Sequence, residues 1–325
     1  MEPRASKPRV AVVGSANVDV IMRVERVPDR GETVTGGKVS ISPGGKGANQ
    51  AVALARLGAD VELAARVGKD LFAELILASL RGAGISADGL ALDPHHPTGT
   101  ALILVDARGD NRIAVDYGAN LFLCLNDARR IVDAVRKFDL VLIQCEVDEE
   151  LNLQVARKAR AGGVPVVLNP ASVLPRSLEL LTLVDLITPN LAEARALAGL
   201  HGAPVPADGH PLDQARIAAQ ALLRAGVHRI VVTLGKQGAL YASREEQLEL
   251  GVYPTTQVDA TGAGDAFTAA MAHGLAQGKA SEACVRLASA AAALAVARLG
   301  AQPSFPTMAE VRQFMAETAM SPARA

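Results

Sequence analysis

The chain of 325 residues contains no tryptophan, and its aromatic share is only 3%. That removes the stacking surfaces on which single-stranded nucleic acids bind. Charge of either sign is not in excess: 33 basic residues face 34 acidic ones, for a net charge of −1, so no basic field attracts a phosphate backbone and no nucleic-acid partner is expected. Cysteine is scarce as well. Cys124, Cys145 and Cys284 are odd in number, far apart and without a C-x-x-C pair, which excludes a disulfide framework or a zinc site and fits a reducing cytoplasm. Residues 1–8 are polar and lack the apolar centre of a secretory signal. The alanine-rich run 284–299 is interrupted by Arg286 and Arg298, so it reads as a buried helix rather than a membrane span, and no membrane partner is expected. These absences leave a small polar or phosphorylated ligand as the fitting partner.

What is present is an ample core and many turns: half the residues are hydrophobic and 29 are glycine. Continuous apolar runs at 10–13, 61–67, 140–145, 164–168, 183–187 and 230–234 read as buried strands. Helical patterns at 48–57, 72–81, 151–161 and 213–225 fall between them. Such alternation predicts an α/β fold with a central, mostly parallel sheet covered by helices on both faces, whose ligands bind beyond the carboxyl ends of the strands. Two regions break the alternation. Residues 20–42 carry alternating valines with Pro28 and Gly31, and the runs 100–105 and 112–115 flank the turn-like Ala107-Arg-Gly-Asp-Asn111. Together they predict a small antiparallel sheet, formed by about 20–42 and 100–117, that projects as a lid from one domain spanning 1–325. No internal repeat or low-complexity linker divides the chain, and only 321–325 are expected to fray.

The densest chemical signal is Asp259-Ala-Thr-Gly-Ala-Gly-Asp265, which runs directly into the apolar stretch Ala-Phe-Thr-Ala-Ala-Met. A helix start carries unpaired N–H groups and partial positive charge, so it is a ready anion site. Glycine there lets a bulky ligand approach the backbone. A carboxylate inside an anion site is a poor choice for binding alone, and phosphoryl transfer from a nucleotide to a hydroxyl needs that combination. Asp265 also suits a helix start as a capping charge, but capping does not require the flanking glycines or Asp259.

Other constellations sit at strand ends. Gly14-Ser-Ala-Asn17-Val-Asp19 follows the first strand and is either a polar turn or one wall of the ligand crevice. Pro43-Gly-Gly-Lys46-Gly-Ala-Asn49 lacks the spacing of a Walker loop; Lys46 and Asn49 would share one helix face. Beside Asn17 and Asp19, a pocket for a polyol is the better reading, because donors and acceptors converge. Glu146 follows the strand 140–145. Asn190 and Glu193 have the spacing of an ordinary capping pair. The loop Thr233-Leu-Gly235-Lys-Gln-Gly238 either accepts phosphates or simply turns the chain.

In this order the motifs resemble the ribokinase (pfkB) family of sugar kinases, from about Val10 to Pro306. The resemblance is carried by Gly44-Gly-Lys-Gly-Ala-Asn-Gln50 and by the segment 259–267, with support from Asn111-Arg-Ile-Ala-Val-Asp-Tyr-Gly-Ala-Asn120 and Gly300-Ala-Gln-Pro-Ser304. The first motif is closer to the ribose-specific branch than to the fructose or adenosine branches. The resemblance implies a three-layer fold with a small β-sheet lid, and ATP-dependent phosphorylation of D-ribose at its 5-hydroxyl to D-ribose 5-phosphate. It implies that Asp265 is the catalytic base, with Gly262, Ala263 and Gly264 forming the anion hole. Asn17, Asp19, Gly45, Lys46, Gly47, Ala48, Asn49 and Glu146 match positions that bind the sugar. Asn190, Thr233, Leu234, Gly235, Lys236, Gln237, Gly238, Gly264 and Ser289 match positions around ATP, and Glu193 one tied to the Mg²⁺–phosphate network. Asp259, Thr261, Ala295, Arg298, Gly300 and Ser304 match the ligands of a monovalent cation, K⁺, several through backbone carbonyls. A homodimer joined through the lid sheets is also implied.

Two positions depart from the family pattern. Ser289 stands where Asn or His is common near adenine, and Tyr117 stands where the lid usually has a small residue or proline. Rival readings within the class are kinases of deoxyribose, fructose or a nucleoside; outside it, a catalytically silent sugar or nucleotide sensor on the same scaffold. A nicotinamide dehydrogenase is a poorer reading, since the first strand leads into Gly14-Ser-Ala-Asn-Val-Asp19 without a G-x-G-x-x-G turn.

Overall fold

Residues of the first strand alternate between two separate cores. Val10 and Val12 pack with one hydrophobic cluster and Ala11 and Val13 with the other, as the two-residue period of a strand buried on both faces requires. The computed structural model describes residues 7–108, 110–171 and 177–322. The N-terminal segment 1–6, the hairpin-tip residue Gly109 and most of the 321–325 end, about which the sequence raises expectations, lie outside the described residues.

Among the described residues the first half runs β1 (Arg9–Val13), β2 (Asn17–Arg23), β3 (Lys38–Gly44), α1 (Lys46–Arg56), β4 (Asp60–Gly68), α2 (Leu71–Gly82), β5 (Leu90–Asp93), β6 (Gly99–Val105), β7 (Asn111–Asp116), α3 (Arg129–Asp133) and β8 (Leu140–Gln144). The second runs α4 (Glu149–Gly162), β9 (Val166–Asn169), α5 (Ser177–Leu183), β10 (Leu186–Ile187), α6 (Leu191–Leu200), α7 (Pro211–Arg224), β11 (Arg229–Thr233), β12 (Ala239–Ser243), β13 (Gln247–Leu250), α8 (Ala263–Ala276), α9 (Ser281–Val296) and α10 (Met308–Glu317). Nine strands form one sheet in the order β13-β12-β11-β10-β9-β8-β1-β4-β5. It is parallel from β11 to β5 and antiparallel only at the β12 and β13 edge. Helices α1, α2, α8, α9 and α10 cover one face and α3 to α7 the other, giving three layers.

The remaining strands form a separate sheet in the order β3-β2-β6-β7. The sequence predicts it as antiparallel, and that is corrected at its centre. The β2–β3 and β6–β7 pairs are antiparallel hairpins, but β2 and β6 run parallel. Each hairpin enters from the main sheet in the same direction, β2 after β1 and β6 after β5, so their first strands align. The strand expected at 183–187 is also shorter. Its first residue closes α5, and Leu186–Ile187 alone pairs between β9 and β11. The carboxyl ends of β1, β8, β9, β10 and β11 therefore open side by side, next to the first residues of the small sheet.

Candidate active site

The glycines of 44–47 let two backbones touch. Gly45, the residue before α1, has φ +83, and a Cβ on it would lie 2.6 Å from the Asn17 nitrogen. A Cβ on Gly47 would lie 2.6 Å from the Gly14 carbonyl carbon. Side chains at these positions would push α1 away from the turn after β1. With glycine there, the Ala48 N–H donates to the Ser15 carbonyl at 2.8 Å. The Ser15 hydroxyl donates to Glu146 Oε2 at 2.6 Å, and the Lys46 N–H donates to the same oxygen at 3.2 Å. Asn120, fully buried, accepts from the Ala16 N–H at 2.8 Å and donates to Asn17 Oδ1 at 2.7 Å. The Asn17 oxygen is thus committed, and its –NH₂ is the group left for a ligand. Ser15 and Asn120 are orienting residues that motif reading did not single out as part of the site; only their spacing from Asn17 and Glu146 in three dimensions reveals them.

The pocket is acidic around one lysine. Burial, reinforced by the charges of Glu146 and Asp265, pushes the Asp19 carboxyl up to about 6. Burial works against the charge on Lys46, yet the carboxylates of Asp265, Glu146 and Glu193 outweigh it and move its pKa upward. The Tyr117 phenol, half-buried beside Glu146 and Lys46, is also shifted up, chiefly by desolvation. Asn17, Asp19, Lys46, Asn49, Glu146 and Asp265, spread over most of the sequence, are therefore gathered in one place.

Asp265 is the third residue of α8 and is 6% exposed. Its carboxylate accepts from Asn49 Nδ2 at 3.0 Å and from Gln50 Nε2 at 2.9 Å. Gly262 precedes the helix with φ +77, and its Cα side lies against Ala301 and Phe305, where a Cβ would come within 3.0 Å of both. The Ala263 and Ala266 N–H groups bond to the Ala260 and Gly262 carbonyls. Between them, the Gly264 and Asp265 amides have no acceptor among the described residues. Two unpaired donors at a helix start are what an incoming anion requires. One turn on, the Thr268 hydroxyl meets the Thr188 hydroxyl at 3.0 Å, tying α8 to the end of β10.

A cleft of about 580 Å³ opens on the other side of this helix start, lined by Thr233, Gly235, Lys236, Gly238, Ala263, Gly264 and Ser289. Phe267, from the 259–267 motif, completes its walls together with residues of the segment 252–257 and the α9 alanines, which carry no motif and were not legible in the sequence. Leu234 and Gln237 do not line the cleft. The Leu234 N–H donates to the Gly238 carbonyl and the Gln237 N–H to the Leu234 carbonyl, so both shape the turn. Asn190 and Glu193 do not line it either. They form a reciprocal capping box on α6, with the Asn190 backbone N–H donating to Glu193 Oε2 at 3.0 Å and the Glu193 N–H donating to Asn190 Oδ1 at 2.9 Å, while the Asn190 side-chain amide donates to Glu193 Oε1 at 2.8 Å. Asn190 also bridges to Thr233, which keeps the pair beside the 233–238 turn.

Asp259 joins two loops. Its Oδ1 accepts from the Thr261 N–H at 2.9 Å and hydroxyl at 2.6 Å, and its Oδ2 from the Gly300 N–H at 3.0 Å. Burial opposes its charge, but these donors hold the carboxyl below its ordinary value. The Arg298 side chain is engaged with Glu310 at 2.5 Å, and the Ser304 hydroxyl donates to the Ala301 carbonyl at 2.7 Å.

A buried carboxylate beside free helix-start amides, set between a hydroxyl-binding pocket and a glycine-walled cleft, defines an enzyme that transfers an anionic group to a hydroxyl. The chain belongs to the pfkB family of carbohydrate kinases, whose family model matches residues 7–308. It is 38% identical over 307 residues to a ribokinase of Bacillus subtilis, covering 94% of this chain and 99% of that one. It is 34% identical over 308 residues to a deoxyribokinase of Salmonella typhi, covering 94% and 98%. The Arabidopsis thaliana ribokinase structure, complexed with ribose and ATP, superposes with a TM-score of 0.85 at 34% identity over 95% of this chain and 99% of that one.

Proposed function

We propose that this protein transfers the γ-phosphoryl group of ATP to the 5-hydroxyl of D-ribose, giving D-ribose 5-phosphate and ADP. One observation carries the reading: Asp265 lies at the junction of the polar pocket and the cleft, next to two unpaired amides. Its carboxylate takes the proton of the attacking hydroxyl as the new O–P bond forms and the bond to ADP breaks. The Gly264 and Asp265 amides stabilise negative charge as it spreads over the phosphoryl oxygens. Asn17, Asp19, Asn49 and Glu146 hold the sugar, and Thr233, Gly235, Lys236, Gly238 and Ser289 hold the nucleotide. The small sheet acts as the lid, excluding water that would otherwise hydrolyse ATP. A nucleoside is disfavoured because Phe122, an aromatic near the lid, is stacked on His96 with ring centroids 3.5 Å apart.

The Glu193 carboxylate, near Lys46 and the 233–238 turn, suits Mg²⁺ through its free lone pairs, and Mg²⁺ bound with ATP supplies charge neutralisation at the phosphates. The residues matched to the cation site, Asp259, Thr261, Ala295, Arg298, Gly300 and Ser304, would offer it one carboxylate and otherwise hydroxyl or backbone oxygens, hard donors of the kind that suit K⁺. The absence of disulfides among Cys124, Cys145 and Cys284 supports a cytoplasmic setting. Among the described residues no helix is long and apolar enough to cross a membrane.

An ADP-release assay over ribose, deoxyribose, fructose and adenosine, run in K⁺ and in Na⁺, tests both parts. The expected outcome is the highest kcat/KM for ribose, with activity in K⁺ exceeding that in Na⁺. A lead for another acceptor would overturn the substrate, indifference to the cation would remove the Asp259 site, and sugar binding without ADP release would favour a sensor.

A homodimer through the lid is supported by its apolar face. Ile41 and Leu102 flank Val20 in register and are 51% and 56% exposed, with Val39 beside them at 59%. Ile41→Arg combined with Leu102→Arg is expected to turn a dimer into a monomer by light scattering. A wild-type chain that is already monomeric at micromolar concentration would reject this interface.

A further inference from the structure

Of the two amides on Asp265, that of Gln50 has no exposed surface. No substrate atom can reach it, so any part it plays in the reaction passes through Asp265. A buried primary amide is tolerated when both of its ends are satisfied, and both are here. Gln50 Nε2 donates to Asp265 Oδ1 at 2.9 Å and faces Asn169 Oδ1 at 3.4 Å. Gln50 Oε1 accepts from Gln144 Nε2 at 2.7 Å.

The direction of this amide is dictated by its neighbours. The Thr188 carbonyl can only accept, so Asn169 turns its Nδ2 to it at 2.9 Å and shows its oxygen to Gln50. Asp265 likewise presents oxygen. Only the –NH₂ of Gln50 can face those two groups, and its oxygen then needs a donor on the far side, which Gln144 supplies. Gln144 is itself held at the end of β8, where Asn152 Nδ2 donates to its carbonyl at 2.9 Å. Its Oε1 rests against Gly14, in space that a Cβ there would fill. A chain of amide contacts thus runs from Gln144, whose Oε1 has no hydrogen-bond partner among the described residues, through Gln50 to the carboxylate.

We propose that Gln50, oriented by Gln144, is a positioning residue for the phosphoryl transfer. It holds the plane of the Asp265 carboxylate, so that the lone pair that takes the proton is aimed before the sugar arrives. The inference rests on the assignment of Asp265 as the base. Steady-state kinetics of Gln50→Met and Gln144→Met, each also made in an Asp265→Asn background, test it. Gln50→Met is expected to lower kcat about 10–100-fold, the size of one hydrogen bond to a charged group, with KM for ribose and ATP within about twofold of wild type. Gln144→Met leaves Gln50 in place but unoriented, and its expected loss in kcat is about 3–10-fold, in the range of a neutral hydrogen bond. In the Asp265→Asn background neither substitution lowers the residual rate further. Wild-type kcat in folded Gln50→Met, or a loss that persists undiminished without the carboxylate, would overturn the proposal. If Gln50→Met does not fold, wild-type kcat in Gln144→Met overturns it equally. Full turnover in Asp265→Asn alone is a separate result that removes the base assignment itself.

Discussion

Asp265→Asn is expected to lower kcat by about 10²–10⁴-fold, the usual contribution of a general base. The substitution keeps the shape of the side chain and removes the proposed acceptor of the sugar proton, while leaving in place the helix-start amides proposed to bind the phosphoryl group. Its side effects are predictable from the same contacts. Asn49 and Gln50 both donate to this carboxylate, so an amide in its place sets one N–H against another. Losing one such bond costs about 1–3 kcal/mol, small enough for the protein to stay folded. The rate is read by ADP release at saturating ribose and ATP, and the fold by circular dichroism and thermal melting. Near-normal turnover in a folded variant would sink the assignment.

Asp19→Asn is expected to do two opposite things: raise KM for ribose by about 10²–10⁴-fold and make the protein more stable above neutral pH. The first follows if Asp19 accepts hydrogen bonds from two sugar hydroxyls, each worth about 1.5–3 kcal/mol to a charged group. The second follows from the carboxyl being pushed up to about 6 from its ordinary 3.8. Below about pH 4 the group is protonated in both folded and unfolded chains and contributes nothing. Between about 4 and 6 the unfolded chain releases the proton while the folded one retains it, so stability falls as pH rises. Above 6 the folded protein carries the full penalty of a buried charge near Glu146 and Asp265, about 2–3 kcal/mol. Removing the charge removes that penalty, so Tm at pH 8 is expected to rise by several degrees, with little change at pH 4. In the wild type, kcat/KM for ribose falls as pH drops through about 6, because protonated Asp19 loses an acceptor. A Tm at pH 8 that does not rise would show that Asp19 carries no such penalty, and an unchanged KM would remove it from the sugar pocket.

Motif reading could single out the candidate residues because the pieces of each motif are local. The glycines and carboxylates of 259–265 sit within seven consecutive residues, and Gly45 and Gly47 announce a close approach before the partner is known. The orienting residues are not local. Asn49 and Gln50 reach Asp265 across 216 and 215 positions, and Gln302 donates to Asn49 Oδ1 across 253. Glutamine in an apolar helix looks the same in sequence whether it faces solvent or completes a buried chain. The small sheet shows the same limit: its hairpins were readable from local alternation, but the parallel pairing of β2 with β6 joins strands separated by all of β3, α1, β4, α2 and β5.

The sequence by itself determined the layered α/β architecture, because period-two burial, helical amphipathicity and glycine placement are properties of neighbouring residues. It also picked out, through the family resemblance, the side chains proposed here to carry the chemistry. The tertiary structure alone decided how those side chains are charged and aimed. The raised carboxyl of Asp19, the lysine among three carboxylates and the amide chain behind Asp265 arise when distant groups are brought out of water and within a few ångströms of one another. Electrostatic coupling and hydrogen-bond direction depend on separation in space, and separation along the chain does not encode it.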